Sequence, residues 1–119
     1  MSYDIRFKAK IEGVDKYVEV GECNANITWN VRKIITLSTG LPWKNCENNG
    51  FCKDVMPMIA HGLQELLEHP EKYKPYESPN GWGTVRGVIG FFQDVLGYWH
   101  EFCEDEDPSL VEVTTFWIE

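Results

Sequence analysis

Residues 3–12 alternate without a break: Tyr3, Ile5, Phe7, Ala9 and Ile11 fall on one side, and Asp4, Arg6, Lys8, Lys10 and Glu12 on the other. A period of two marks an extended strand that buries one face and wets the other. A helix would scatter these five apolar residues around its axis, because its own repeat is 3.6. The chain must therefore build a sheet with one covered face, and the rest of it has to supply the cover. Glu12-Gly13-Val14-Asp15 reads as a turn and Lys16 to Val20 as a shorter second strand, which makes the start a hairpin.

Past Gly21 to Asn26 the period becomes helical. Ile27, Val31, Ile34, Ile35 and Ser38 share one face, Asn24 and Asn26 are suitable N-caps, and Gly40 is placed as the stop. Leu41-Pro42-Trp43 opens a polar loop running to Cys52. A second helix is expected from an Asp54 cap, with Pro57 in its first turn and Val55, Ile59, Leu63, Leu66 and Leu67 as the buried stripe. Pro70 ends it, and Glu71 to Gly83 connects to a third helix capped by Thr84. That helix carries Val85, Val88, Ile89, Phe92, Val95, Leu96, Trp99, Phe102 and Cys103 at helical spacing. Its glycines Gly87, Gly90 and Gly97 lower its intrinsic propensity and leave room for another backbone to approach. Leu110 to Ile118 reads as a closing strand. The expectation is a single α+β domain over residues 1–119, in ββαααβ order. It is a small antiparallel sheet whose last strand pairs with the first hairpin, with three helices packed on one face.

Composition narrows the function. The 119 residues hold 11 Lys+Arg and 19 Asp+Glu, a formal net charge of −8. That field repels nucleic acid backbones, and no Lys/Arg-rich stripe offsets it, so nonspecific nucleic acid binding is not expected. An acidic surface does suit a partner with a basic face. No run approaches the roughly 18 apolar residues of a membrane span, and the first residues lack a signal-peptide pattern. A soluble intracellular protein is the expectation. Cys23, Cys46, Cys52 and Cys103 do not show the two close pairs of a zinc site, and without a secretory signal free thiols are the expected state. A disulfide across Cys46–Cys52 and a metal site are the weaker alternatives.

Catalytic chemistry finds little to stand on. His61, His69 and His100 lack metalloprotease spacing, no Gly-x-Ser-x-Gly elbow occurs, and Glu101, Glu104, Asp105, Glu106 and Asp107 read as a solvated acidic cluster. An enzyme is not favoured and no cofactor is expected. Two other segments carry more information. In Ser78-Pro79-Asn80-Gly81-Trp82-Gly83-Thr84-Val85-Arg86, two glycines flank a tryptophan just before a helix start. Unpaired N–H groups and partial positive charge there suit a phosphate or carboxylate, and Trp82 suits stacking on a base. The same residues also fit a turn, an N-cap and an indole at the core edge. In Asn26-Ile27-Thr28-Trp29-Asn30-Val31-Arg32, an indole, amides and a guanidinium gather at a helix start, which fits a recognition surface or an ordinary capping segment. The candidate ligand-binding set is Trp29, Asn30, Arg32, Trp43, Asn80, Gly81, Trp82, Gly83, Thr84 and Arg86.

Asn26-Ile27-Thr28-Trp29-Asn30, Met56-Pro57-Met58-Ile59 with Leu63 and Leu66, and the Ser78–Thr84 loop together resemble a widespread group of small accessory proteins encoded by bacteriophages and prophage-like elements. The likeness spans about residues 23 to 100; Trp29 stands where that group has tyrosine, and the last loop differs in detail. The resemblance implies a viral protein acting in the cytoplasm of a bacterial host, with no catalytic residues. Two roles against host defence follow from it. One is a sponge that sequesters a small anionic nucleotide signal without cleaving it, with sites of a kind often shared between subunits of a homo-oligomer. The other is an acidic inhibitor that binds a host defence protein or nucleoprotein complex directly.

Overall fold

The computed structural model describes residues 2–10, 17–19, 25–41, 43, 48–103 and 111–118. Strand β1 (Ser2–Lys10) realises the alternation: Tyr3, Ile5 and Phe7 are buried and Arg6 is exposed. Strand β2 (Tyr17–Glu19) returns antiparallel with Val18 opposite Ala9, and Arg6 Nη1 reaches Glu19 Oε1 at 2.7 Å across the pair. Strand β3 (Asn26–Thr28) shares that edge of β1, with Ile27 opposite Tyr3. The closing strand Val111–Ile118 lies antiparallel along the other edge from Ser2 to Ala9 and in turn pairs with Asn48–Phe51. In chain order Asn48–Phe51 is β4 and Val111–Ile118 is β5. The sheet runs β2-β1-β5-β4, with β3 beside β1.

The covered face carries the helices. Helix α1 (Arg32–Thr39) follows a 3₁₀ turn over Trp29–Val31 and ends at Gly40, whose φ of 81° is the left-handed C-cap expected of it. Helix α2 is Cys52–Glu68, α3 the short Pro70–Tyr73, and α4 Val85–Tyr98, continued by a π turn over Trp99–Cys103. Aromatic contacts fasten them to the sheet. Trp43 meets Tyr3 edge-on at 5.2 Å and Phe91 at 6.3 Å, while Phe7 stacks on Tyr98 at 5.3 Å and Trp99 at 6.0 Å. Aromatic geometry of this kind adds to the area each ring buries. Val85, Val88, Phe92 and Val95 are buried along α4, as their spacing requires.

The class is α+β and β5 pairs with the first hairpin, but the element order is βββαβαααβ rather than ββαααβ. Asn26 is a strand residue, not an N-cap: its Nδ2 donates to Asp4 Oδ1 at 2.7 Å, and α1 starts only at Arg32 with no side-chain cap. The loop expected to reach Cys52 holds β4, and the connector after Pro70 holds α3 and a 3₁₀ turn over Lys74–Tyr76. Helix α2 starts at Cys52 instead of behind Asp54, which puts Pro57 in the second turn, where it cannot donate to the Lys53 carbonyl. Both residues are exposed, so water can serve that carbonyl. The buried line of α2 is Cys52, Met56, Ile59, Gly62 and Leu66, whereas Leu67 is 56% exposed.

Gly62 explains that rotation. A Cβ there would lie 2.5 Å from Thr39 Cγ2 and 3.1 Å from Phe92 Cε2, so α2 meets both α1 and α4 at a position with no side chain. Gly90 and Gly97, expected to admit another backbone, have nothing within 4 Å of such a Cβ among the described residues. At the far end of α2, Tyr73 Oη donates to Glu65 Oε1 at 2.9 Å and Lys72 Nζ to the same oxygen at 3.2 Å, which staples α3 to α2. Burial, then the bond to Glu65 and its charge, push the Tyr73 hydroxyl up to about 12. The bonds from Tyr73 and then Lys72 hold the Glu65 carboxyl below its usual range.

Candidate functional site

The segment between the 3₁₀ turn and α4 is a loop closed at its base and braced inside. At the base, Val85 N–H donates to Glu77 Oε1 at 3.0 Å and Ser78 N–H to the Gly83 carbonyl at 3.4 Å. Inside, Gly81 N–H donates to the Ser78 carbonyl at 3.1 Å. Asn80 Oδ1 accepts from Trp82 N–H at 2.9 Å and from the Ser78 hydroxyl at 2.6 Å. Such a side-chain oxygen mimics a backbone turn, which is why Asn recurs in loops. Gly81 and Gly83 take φ of 78° and 92°, where glycine carries no Cβ penalty. The product is an indole, Trp82, that is 69% exposed on a backbone bonded on every side.

Gly83 does a second thing. A Cβ on it would lie 2.8 Å from Val31 Cγ1 and 3.3 Å from both Asn30 Cβ and Thr28 Cγ2. The two segments singled out in the sequence, some fifty positions apart, therefore touch there, and the starts of α1 and α4 lie side by side. Arg32 and Lys33 follow in α1, and the exposed Arg86 follows in α4. Lys33 Nζ sits 4.8 Å from the centre of the Tyr76 ring, which ties in the turn that carries Lys74. One basic–aromatic pair, Lys33 over Tyr76, thus lies beside the start of this loop on a molecule of net charge −8.

Two amides of the helix opening are already served. Thr84 caps α4 as expected, its Oγ1 accepting from Gly87 N–H at 3.0 Å, and the Glu77 carboxylate takes the Val85 amide. Those two amides are therefore not free donors for an anion. Trp43, placed in the candidate set by its position after α1, is only 8% exposed and packs between Tyr3 and Phe91, so it belongs to the core and not to this surface. Asn30 is half-buried beneath Gly83, Arg32 is half-buried, and the Trp29 backbone lies in the 3₁₀ turn, its side chain outside the described residues.

Glu77, Lys33 and Tyr76 were not in the candidate set. Glu77 left one trace in the sequence: it is the sole acid between Lys72 and Arg86, eight residues before a helix start and separated from it by turn formers. Among the described residues, no group of three or more His, Cys, Asp or Glu is placed to hold a metal ion, and no helix is long and apolar enough to cross a membrane. Cys52 is buried, and Cys46, its suggested partner, lies outside the described residues. What the described residues define is an α+β domain with a braced, solvent-facing indole beside the starts of two helices. No family model, curated protein or solved structure matches the chain.

Proposed function

We propose that this chain is a non-catalytic binding protein, a phage-encoded anti-defence sponge that captures a small anionic nucleotide signal and releases it unchanged. The observation that carries the reading is the exposed Trp82 on a hydrogen-bonded backbone, in a loop that runs from the turn holding Tyr76, with Lys33 over its ring, into the helix that carries Arg86. A base stacked on an indole gains about 1–3 kcal/mol, and neighbouring Lys and Arg meet the phosphate charge. Because the loop is already ordered, little of that gain is lost to ordering it on binding. The resemblance to phage accessory proteins supplies the biological setting.

The test is a thermal-shift and calorimetric titration with cyclic nucleotides and ADP-ribose derivatives. A true ligand at a hundred times its Kd should stabilise the protein by about 2.7 kcal/mol. Trp82→Ala should abolish that gain while changing the ligand-free stability by no more than about 0.5 kcal/mol, as for an exposed side chain. Bound nucleotide recovered intact after heating supports a sponge, and an altered product points to an enzyme instead. No stabilisation by any nucleotide at millimolar concentration would remove the reading. A second reading, direct inhibition of a host defence protein, is favoured by the net charge of −8. It requires capture of a host protein that weakens steeply with salt.

A further inference from the structure

We infer that Glu77 is the positioning residue of this surface, the group that fixes where Trp82 is presented; the inference rests on reading Trp82 as the binding residue. Two side chains bond amides in the first turn of α4, and they differ in reach. Thr84 caps Gly87 locally, from three residues away, as any N-cap does. Glu77 reaches the Val85 amide from eight residues away, so its bond closes the whole loop that carries Trp82. The other bond across that base, Ser78 N–H to the Gly83 carbonyl, is the longer of the two at 3.4 Å against 3.0 Å. A carboxylate at a helix N-terminus also gains from the helix dipole, which a neutral acceptor does less well. The loop cannot slide along α1 either, because Gly83 is seated on Val31. Glu77 is itself half-buried, and the only acid in a stretch that holds Lys72, Lys74 and Arg86. An acid there opposes an anionic ligand by its charge, so its presence calls for a role that outweighs that repulsion.

Glu77→Ala and Glu77→Gln separate positioning from charge, since glutamine keeps the acceptor oxygen and loses the charge. Amide hydrogen exchange on the full chain is the first readout and needs no ligand. In Glu77→Ala, exchange at Ser78, Trp82 and Val85 should quicken while the core of α4 and β1 stays protected, and Glu77→Gln, which keeps an acceptor, should stay closer to wild type. Titration with ADP-ribose is the second readout: Glu77→Ala should weaken binding ~tenfold, the scale of re-ordering one loop side chain, and Glu77→Gln should recover it. Unchanged exchange in Glu77→Ala, or exchange that rises over the whole chain, overturns the inference. So does tighter ADP-ribose binding by both variants, which would make Glu77 a competitor for the anion. If wild type binds no ADP-ribose while the exchange pattern holds, the sponge reading fails for that nucleotide and the role of Glu77 in fixing the loop stands.

Discussion

Gly81 and Gly83 share a left-handed backbone and differ in what surrounds them, which makes a paired experiment. A Cβ on Gly81 would meet nothing within 4 Å, whereas one on Gly83 would lie 2.8 Å from Val31 Cγ1 and 3.3 Å from Asn30 Cβ and Thr28 Cγ2. Alanine at either position enters the left-handed region at about 1–2 kcal/mol, partly offset by about 0.4–1 kcal/mol from a stiffer unfolded chain. Gly81→Ala should therefore cost about 1 kcal/mol. Gly83→Ala adds overlap with Val31, which is fully buried in the turn between β3 and α1 and has no room to withdraw. Overpacking of this kind adds about 1–3 kcal/mol, so the Gly83→Ala total should be about 2–4 kcal/mol. Urea unfolding followed by circular dichroism, with a common slope for both variants, measures the difference directly. If Gly83→Ala costs no more than Gly81→Ala, the loop is not seated on the start of α1, and the joining of the two segments into one surface falls with it.

The packing of α2 gives another prediction. Gly62→Ala gains about 1 kcal/mol of helix propensity but puts a methyl 2.5 Å from Thr39 Cγ2. Thr39 is pinned, since its hydroxyl donates to the Ile35 carbonyl at 2.6 Å and accepts from Leu41 N–H at 3.0 Å. A net loss of up to about 2 kcal/mol in thermal unfolding is expected, and a gain would refute the close approach of α1 and α2. Tyr73 sets an alkaline limit. Its hydroxyl is pushed up to about 12, above the ordinary tyrosine value of 10.0, so its stabilising contribution is complete below pH 10.0 and fades as pH climbs toward 12. Tyr73→Phe should lose that part of the fade, and equal stability slopes above pH 10.0 in both proteins would refute it. Glu65 acts at the opposite end: its carboxyl is held below the ordinary glutamate value of 4.5, so its contribution holds above that pH and is lost as pH falls through the lowered value.

The first hairpin and α4 were legible because their periodicity runs long enough to exclude the alternative. Nine residues of β1 hold four full alternations, and the apolar line of α4 from Val85 to Val95 repeats at helical spacing. The short strands were not. Asn26–Thr28 holds less than two periods, and Asn48–Phe51 is Asn-Asn-Gly-Phe, a composition that favours a loop until β5 offers a partner. The stripe of α2 is hard to read in the sequence for a related reason: Gly62 carries no hydrophobic signal, yet marks a close contact of α2 with α1 and α4, while Leu67 carries a strong one and faces solvent. Propensity scales weigh side chains, and here the packing turns on the absence of one.

The site was legible as two compositions and illegible as one place. Nothing in the order of residues says that Gly83 lies on Val31, since that contact exists only after the sheet and α4 have docked. The opening of α4 shows the same limit more sharply. A sequence can announce a helix start, and with it amides in want of an acceptor, but folded chains seldom leave such amides vacant. Which oxygen arrives decides whether an anion finds donors there, and in this chain the arrivals are Thr84 and a carboxylate eight residues upstream. The surface that results has its indole on a pinned backbone and its positive charge on long, flexible Lys and Arg side chains. Rigid stacking and mobile charge discriminate differently: the first depends on the shape of a ring, and the second tolerates many arrangements of phosphate. If this surface captures a nucleotide as proposed, it should distinguish ligands by the aromatic group more strictly than by the number or placement of their charges.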